Sequence, residues 1–70
     1  RDDTDDTVSE ARMRQVATLL AAGLKDETIA RRLDVSVRTV RRLVSATVAE
    51  LQADSRFQAG VLAVRRGWVS

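Results

Sequence analysis

Several residue types that commonly build functional sites are missing from this chain of 70 residues. It contains no cysteine, which excludes a disulfide framework and a thiolate metal site. It contains no histidine, so the commonest general base and the imidazole metal ligand are missing too. The carboxylates form no recognisable cluster. The sequence therefore predicts no catalytic residue, no metal and no cofactor, and it disfavours an enzyme.

Long apolar segments are also missing. No stretch approaches the roughly 20 consecutive apolar residues that a membrane-spanning helix requires. No apolar segment of a signal peptide precedes a cleavage site. From these features we expect a soluble, cytoplasmic domain.

Charge is divided unevenly along the chain. Residues 1–10 carry one arginine and five acids, a net charge of −4, whereas residues 11–70 carry eleven bases and five acids, a net charge of +6. Residues 1–8 have almost no apolar side chain to bury, which predicts a flexible acidic linker or tail, and their aspartates lack the spacing of a metal site. Residues 9–70 are the predicted folded domain. From a start at arginine rather than methionine, we expect an excised domain or a processed chain.

Helical periodicity predicts an all-α domain of four helices, at residues 9–22, 27–33, 37–51 and 56–66. Ser36 and Asp26 are the expected N-caps of the third and second helices. Gly23 and Gly67 lie where the first and last helices should end, and Gly60 indicates a close helix contact. The predicted core consists of Val16, Leu19, Leu20, Ile29, Leu33, Val35, Val40, Val44, Val48, Leu51, Phe57, Val61 and Val64.

The third predicted helix has two chemically different faces. One face is largely apolar and includes Val40, Leu43 and Val48. The other face gathers Arg38, Arg41, Arg42 and Ser45. No acid occurs between Asp34 and Glu50, although surface helices usually mix both signs of charge. Clustered guanidiniums repel one another, so this face favours a polyanionic partner.

The segment before this helix favours a helix-turn-helix. Two helices that cross at a steep angle need a small residue at the crossing and apolar residues between them. Ala30 is the expected small residue. Ile29 and Leu33 on the second helix can pack against Val40 and Leu43 on the third.

Four motifs occur in this order and spacing. They are L-L-A-x-G-L at residues 19–24, I-A-x-x-L at 29–33, S-x-x-T-V-K with arginine at its last position at 36–41, and S-R-x-x-A followed by a glycine at 55–67. Together they resemble the LuxR/GerE family, which includes NarL/FixJ-like response regulators. The resemblance covers roughly residues 12–69. It implies a four-helix LuxR-type helix-turn-helix bundle, which family members often carry after a sensory or receiver domain.

The chain also departs from the family pattern. Met13 and Gln15 replace glutamates common in the first helix, and Thr47 replaces a bulkier aliphatic residue. Glu27 stands where lysine or another polar residue is frequent, and Leu43 stands where histidine is usual. These last two differences remove two expected contacts to the DNA backbone. Leucine at position 43 instead suits packing between the two helices.

The resemblance implies sequence-specific binding of double-stranded DNA as the output of a transcriptional regulator. With the helix at 37–51 in the major groove, its exposed face points at base edges. Arginine matches guanine through a two-pronged fork, which favours Arg41 and Arg42. The predicted base contacts are Arg38, Arg41, Arg42 and Ser45. The predicted phosphate contacts are Lys25, Arg31, Arg32, Ser36 and Thr39, although Arg31 and Arg32 could instead pair with Asp26 or Asp34.

In LuxR-like domains the last helix often pairs two subunits. Because the stripe that contains Phe57, Val61, Val64 and Trp68 is expected to be core, the predicted dimer face lies elsewhere on that helix. It comprises Gln58, Ala59, Leu62 and Arg66. A homodimer would recognise an inverted repeat in double-stranded DNA. RNA polymerase is a further candidate partner.

Two alternatives remain open. Region four of sigma factors carries a similar V-S-x-x-T-V-R run in a promoter-binding helix-turn-helix, but it normally ends soon after its recognition helix. A helical module for protein interaction or dimerisation, without DNA binding, also fits the apolar stripe and the acidic tail.

Overall fold

A computed structural model of the chain describes residues 8–69. This part of the chain contains four α-helices and no strand. The helices are α1 (Glu10–Ala21), α2 (Asp26–Leu33), α3 (Val37–Glu50) and α4 (Arg56–Arg65). The predicted all-α class is confirmed, and each predicted helix differs by at most one residue at either end. The predicted acidic tail lies outside the described residues except for Val8, which precedes α1 and is exposed.

Serine side chains cap the N-termini of three of these helices. Ser9, Ser36 and Ser55 accept the backbone N–H three residues later at 3.1, 3.0 and 3.1 Å. The cap predicted at Ser36 is therefore confirmed. The cap predicted at Asp26 is wrong, because Lys25 is the N-cap of α2 and Asp26 is its first helical residue.

Each of the four helices ends in a turn closed by a left-handed residue. The residue after that turn donates its N–H to a carbonyl five positions earlier, as in Leu24 to Leu19 at 3.2 Å and Ala53 to Val48 at 3.0 Å. Gly23 and Gly67 fill this position after α1 and α4, as predicted, with φ of 81° and 80°. After α2 and α3 the position is held by Asp34 and Gln52, with φ of 59° and 56°. Left-handed backbone costs a residue with a Cβ about 1–2 kcal/mol.

We therefore expect Gln52→Gly to stabilise the domain. Glycine removes the left-handed cost, and its greater freedom in the unfolded chain offsets part of that gain. The net change should be about 0.5–1 kcal/mol in the free energy of unfolding. Thermal melts followed by circular dichroism measure it, with Gly23→Ala as the opposite control. An unchanged or lower melting temperature for Gln52→Gly would contradict the strain at this turn.

The core lies where α1 packs against α3 and α4, and where α2 packs against α3. Its buried apolar side chains are Val16, Ala17, Leu20, Ile29, Ala30, Val40, Leu43, Leu51, Ala59 and Ala63. Five predicted core residues are thus confirmed as buried. Five more pack around them while partly exposed, namely Leu19, Leu33, Val35, Val44 and Val48. None of the helices between residues 8 and 69 is both long and apolar enough to cross a bilayer.

The prediction for α4 is wrong about which face is buried. Phe57, Val61 and Val64 are 79%, 39% and 52% exposed. The buried face instead carries Ala59, Gly60 and Ala63. A Cβ on Gly60 would lie 3.0 Å from the Cα of Ala21, so the backbones of α1 and α4 approach too closely for large side chains between them. This is the close helix contact that Gly60 indicated.

Because α4 buries a different face from the one expected, some residues of the predicted dimer face are not available at the surface. Ala59 is fully buried and Leu62 packs partly buried against the core, so these two residues serve the interior of the domain. Gln58 accepts a hydrogen bond from the backbone N–H of Asp54 just before α4. Arg66, just after α4, is exposed. The surface of α4 that remains open is the apolar one, formed by Phe57, Val61 and Val64.

Trp68 was expected to continue the stripe of α4, but it follows the end of that helix. Its side chain packs partly buried against the core. The guanidinium of Arg14 lies over the ring, 5.2 Å from its centroid, and is also 2.9 Å from the carboxylate of Glu10. The contact between Arg14 and Trp68 holds the segment after α4 against α1.

Candidate nucleic-acid interface

The helix-turn-helix is formed by α2 and α3. Ile29 and Ala30 of α2 are buried, as are Val40 and Leu43 of α3. Ala30 is thus the small buried residue that the crossing was predicted to need. The turn is short because its first residue, Asp34, adopts a left-handed conformation and Ser36 already caps α3.

The outer face of α3 is cationic and open to solvent. Arg38, Arg41, Arg42 and Ser45, which are the predicted base contacts, are all exposed. The opposite face buries Val40, Leu43 and Thr47 completely. Thr47 satisfies its hydroxyl inside the helix by donating to the carbonyl oxygen of Leu43 at 2.7 Å. The buried face thus holds the exposed arginines on a rigid support, and no acid interrupts the sequence between Asp34 and Glu50.

Four of the predicted phosphate contacts are also exposed, namely Lys25, Arg31, Arg32 and Ser36. Arg31 and Arg32 lie in the last turn of α2, where positive charge also complements the helix dipole. Asp26 does not pair with either of these arginines. That carboxylate pairs with Arg56 of α4.

Thr39 does not fit the predicted role of a phosphate contact. Its side chain is buried, with 7% of the residue exposed. Its backbone N–H donates to the hydroxyl oxygen of Ser36 at 3.0 Å, and that hydroxyl donates to the Thr39 hydroxyl oxygen at 3.1 Å. Thr39 therefore locks the start of α3, and Ser36 is the member of this pair that faces solvent.

The sequence analysis did not predict the contacts that Arg56 makes. Its Nη1 atom is 2.8 Å from Oδ1 of Asp26. Its Nη2 atom donates to the carbonyl oxygen of Leu24 at 3.3 Å. The S-R motif marked position 56, but no local pattern connects it with residues about 30 positions earlier in the chain. Through these contacts α4 reaches the beginning of the helix-turn-helix.

Comparison with known proteins agrees with this geometry. Residues 10–63 match the family described as bacterial regulatory proteins, luxR family, and this stretch covers all of α1 to α3 and most of α4. The chain is also similar to a bialaphos biosynthetic pathway regulatory protein of Streptomyces hygroscopicus. The two are 44% identical over 48 residues, which cover 69% of this chain and 19% of that relative. The chain thus spans about a fifth of the relative's length. With four helices and an exposed cationic face on the second helix of the motif, this chain belongs to the luxR family of bacterial regulatory proteins, which regulate transcription by binding DNA.

Proposed function

We propose that this domain binds double-stranded DNA sequence-specifically, with α3 in the major groove. The observation that carries the proposal is the exposed cationic face of α3, on which the charged side chains from residue 37 to residue 49 are all arginines. Arg38, Arg41, Arg42 and Ser45 would face base edges. The arginine forks favour guanine, since each can donate to O6 and N7 of that base.

Phosphate contacts on either side of the groove would fix the position of α3. Lys25, Arg31, Arg32 and Ser36 support this role because they are exposed on α2 and at the start of α3. Glu27 would repel phosphate, so it is not among the proposed phosphate contacts. In this proposal the domain acts in the cytoplasm as the DNA-binding part of a longer regulator, and RNA polymerase bound nearby is its downstream partner.

A salt titration tests DNA binding itself. Affinity for a random duplex is measured as salt increases, for example by fluorescence anisotropy of labelled DNA. Each neutralised phosphate contributes a slope of about −0.9 to the plot of log affinity against log salt. We expect a slope that corresponds to several phosphates. A flat response would exclude DNA binding and favour the protein-interaction alternative.

The proposed DNA-bound form is a homodimer on an inverted repeat. The exposed apolar residues of α4, Phe57, Val61 and Val64, support a subunit contact. With Leu20 and Ala21 of α1 they line a shallow apolar groove on the surface. This face replaces the one predicted around Leu62.

Replacing Phe57 with serine should weaken that dimer. Exposed by 79%, Phe57 contributes little to the monomer core, whereas a central aromatic residue commonly contributes more than 1 kcal/mol to an interface. We expect about ten-fold weaker binding to a duplex with two half-sites. Binding to one half-site should be unchanged. Arg66→Ala, from the earlier predicted face, is the control. An equal loss on both duplexes would argue against a dimer through this face.

A further inference from the structure

We infer that Arg56 is a positioning residue that holds Lys25 where it can contact a DNA phosphate. The inference rests on the proposed function, since it concerns how the phosphate contact is prepared. Arg56 binds the residues on both sides of Lys25. One prong of its guanidinium contacts the Leu24 carbonyl oxygen at 3.3 Å, and the other contacts the Asp26 carboxylate at 2.8 Å.

Leu24, just before α2, packs against the core and donates its N–H to the Leu19 carbonyl oxygen at 3.2 Å, but the first turn of α2 itself lacks a side-chain cap. The hydrogen bond that a capping side chain would supply is missing, because Lys25 occupies the N-cap position and its side chain makes no cap bond. The buried residues of α2 are Ile29 and Ala30, which lie one turn further on and pack toward α3. Leu24 and Asp26 are half-buried, whereas Lys25 between them is exposed. The fork thus ties the Leu24 backbone and the Asp26 side chain to α4, while Lys25 between them stays exposed.

Holding this backbone in place before DNA arrives would strengthen binding. A contact residue on a mobile turn loses conformational freedom when it binds, and this loss reduces affinity. Arg56 belongs to α4, which packs mainly against α1, so its fork ties the first turn of α2 to a separate part of the core. The Arg56 guanidinium already contacts the Asp26 carboxylate and the Leu24 carbonyl oxygen, which disfavours a direct contact between Arg56 and a DNA phosphate.

A purely structural role predicts a different result. The Arg56 side chain is 44% exposed and that of Asp26 is 21% exposed, and ion pairs near the surface contribute little to stability. If the pair only stabilised the fold, its loss would lower the melting temperature slightly and leave DNA binding by the folded domain unchanged. If Arg56 contacted phosphate itself, removing Asp26 would release a cation and strengthen binding.

The test uses the 70-residue chain and a random DNA duplex, at a temperature where circular dichroism shows every variant folded. The variants are Lys25→Gln, Arg56→Gln, Asp26→Asn and the double variant Lys25→Gln with Arg56→Gln. Arg65→Gln is the matched control, because it removes the same charge from an exposed position near the end of α4. For each protein, affinity is measured as a function of salt concentration.

We expect Lys25→Gln and Arg56→Gln each to reduce the magnitude of the salt slope by about 1, which is the effect of losing one phosphate contact. The double variant should lose no more than either single variant, because both changes remove the same contact. Asp26→Asn should weaken binding although it makes the protein more positive. Arg65→Gln should leave the slope unchanged.

Two results would overturn the inference while leaving DNA binding intact. One is Asp26→Asn binding as tightly as the unsubstituted chain, or more tightly. The other is a double variant whose slope falls by about 2, which would mark Arg56 as a separate phosphate contact. Asp26→Asn leaves Arg56 and its bond to Leu24 in place, so it decides the question even if Arg56→Gln proves unstable. A flat salt response of the unsubstituted chain would instead overturn the proposed function, and this inference with it.

Discussion

Replacing Val40 with aspartate is expected to unfold the domain. Val40 is 0% exposed, on the face of α3 that packs toward α2 and the core. A carboxylate there would lose its hydration, and the surrounding side chains are apolar. Such a buried charge costs about 4 kcal/mol or more. A core of this size supplies about 3–5 kcal/mol of net stability, so little or no folded protein should remain.

Circular dichroism at room temperature and thermal melts measure this result. Val64→Asp is the matched control, since it makes the same chemical change at a valine that is 52% exposed on α4. Surface substitutions usually change stability by about 0.5 kcal/mol or less, and the control should melt close to the unsubstituted chain. If Val40→Asp melted normally, the assigned core would be wrong. If Val64→Asp unfolded, the outward orientation of α4 would be wrong.

Replacing Arg41 with alanine should weaken DNA binding and relax base preference without unfolding the domain. Arg41 is exposed on the cationic face, so its truncation leaves no cavity in the core. A two-pronged contact with guanine is worth about 1–3 kcal/mol of discrimination, or about 5-fold to 150-fold. The loss should therefore fall on duplexes that carry the preferred base.

Selection of bound duplexes from a random library would identify that base. Affinities are then compared on the selected sequence and on variants of it, for the unsubstituted chain and for Arg41→Ala. Lys25→Ala is the control, because loss of a phosphate contact should weaken binding to all sequences equally. An equal loss on every duplex for Arg41→Ala would show that Arg41 contacts phosphate. Paired half-sites in the selected sequences would also support the dimer.

The sequence predicted α3 well because its two faces differ in chemistry. Arginine cannot share a core with Val40 and Leu43, so helical periodicity alone determines which side is buried. The serine cap and the left-handed glycines were also predictable, because each depends on residues within one turn. Local chemistry therefore predicted the candidate interface and most helix boundaries, although the cap of α2 was placed one residue late.

The orientation of α4 was not predictable in the same way. Both of its faces are apolar, one with Phe57, Val61 and Val64, the other with Ala59 and Ala63. Ranking by hydrophobicity favours the larger residues, but the distance between α1 and α4 decides in favour of the smaller ones. That distance depends on the tertiary fold, as does the partner of Asp26. Both depend on where distant segments of the chain meet.

The contact between Arg14 and Trp68 brings the beginning and the end of the described chain together. The first turns of α1 lie beside the residues that follow α4, since the guanidinium is 5.2 Å from the centre of the indole ring. Domains whose ends are close tolerate insertion into a loop of another protein. Residues 8–69 could thus be grafted as a cassette with short connectors between the neighbouring ends.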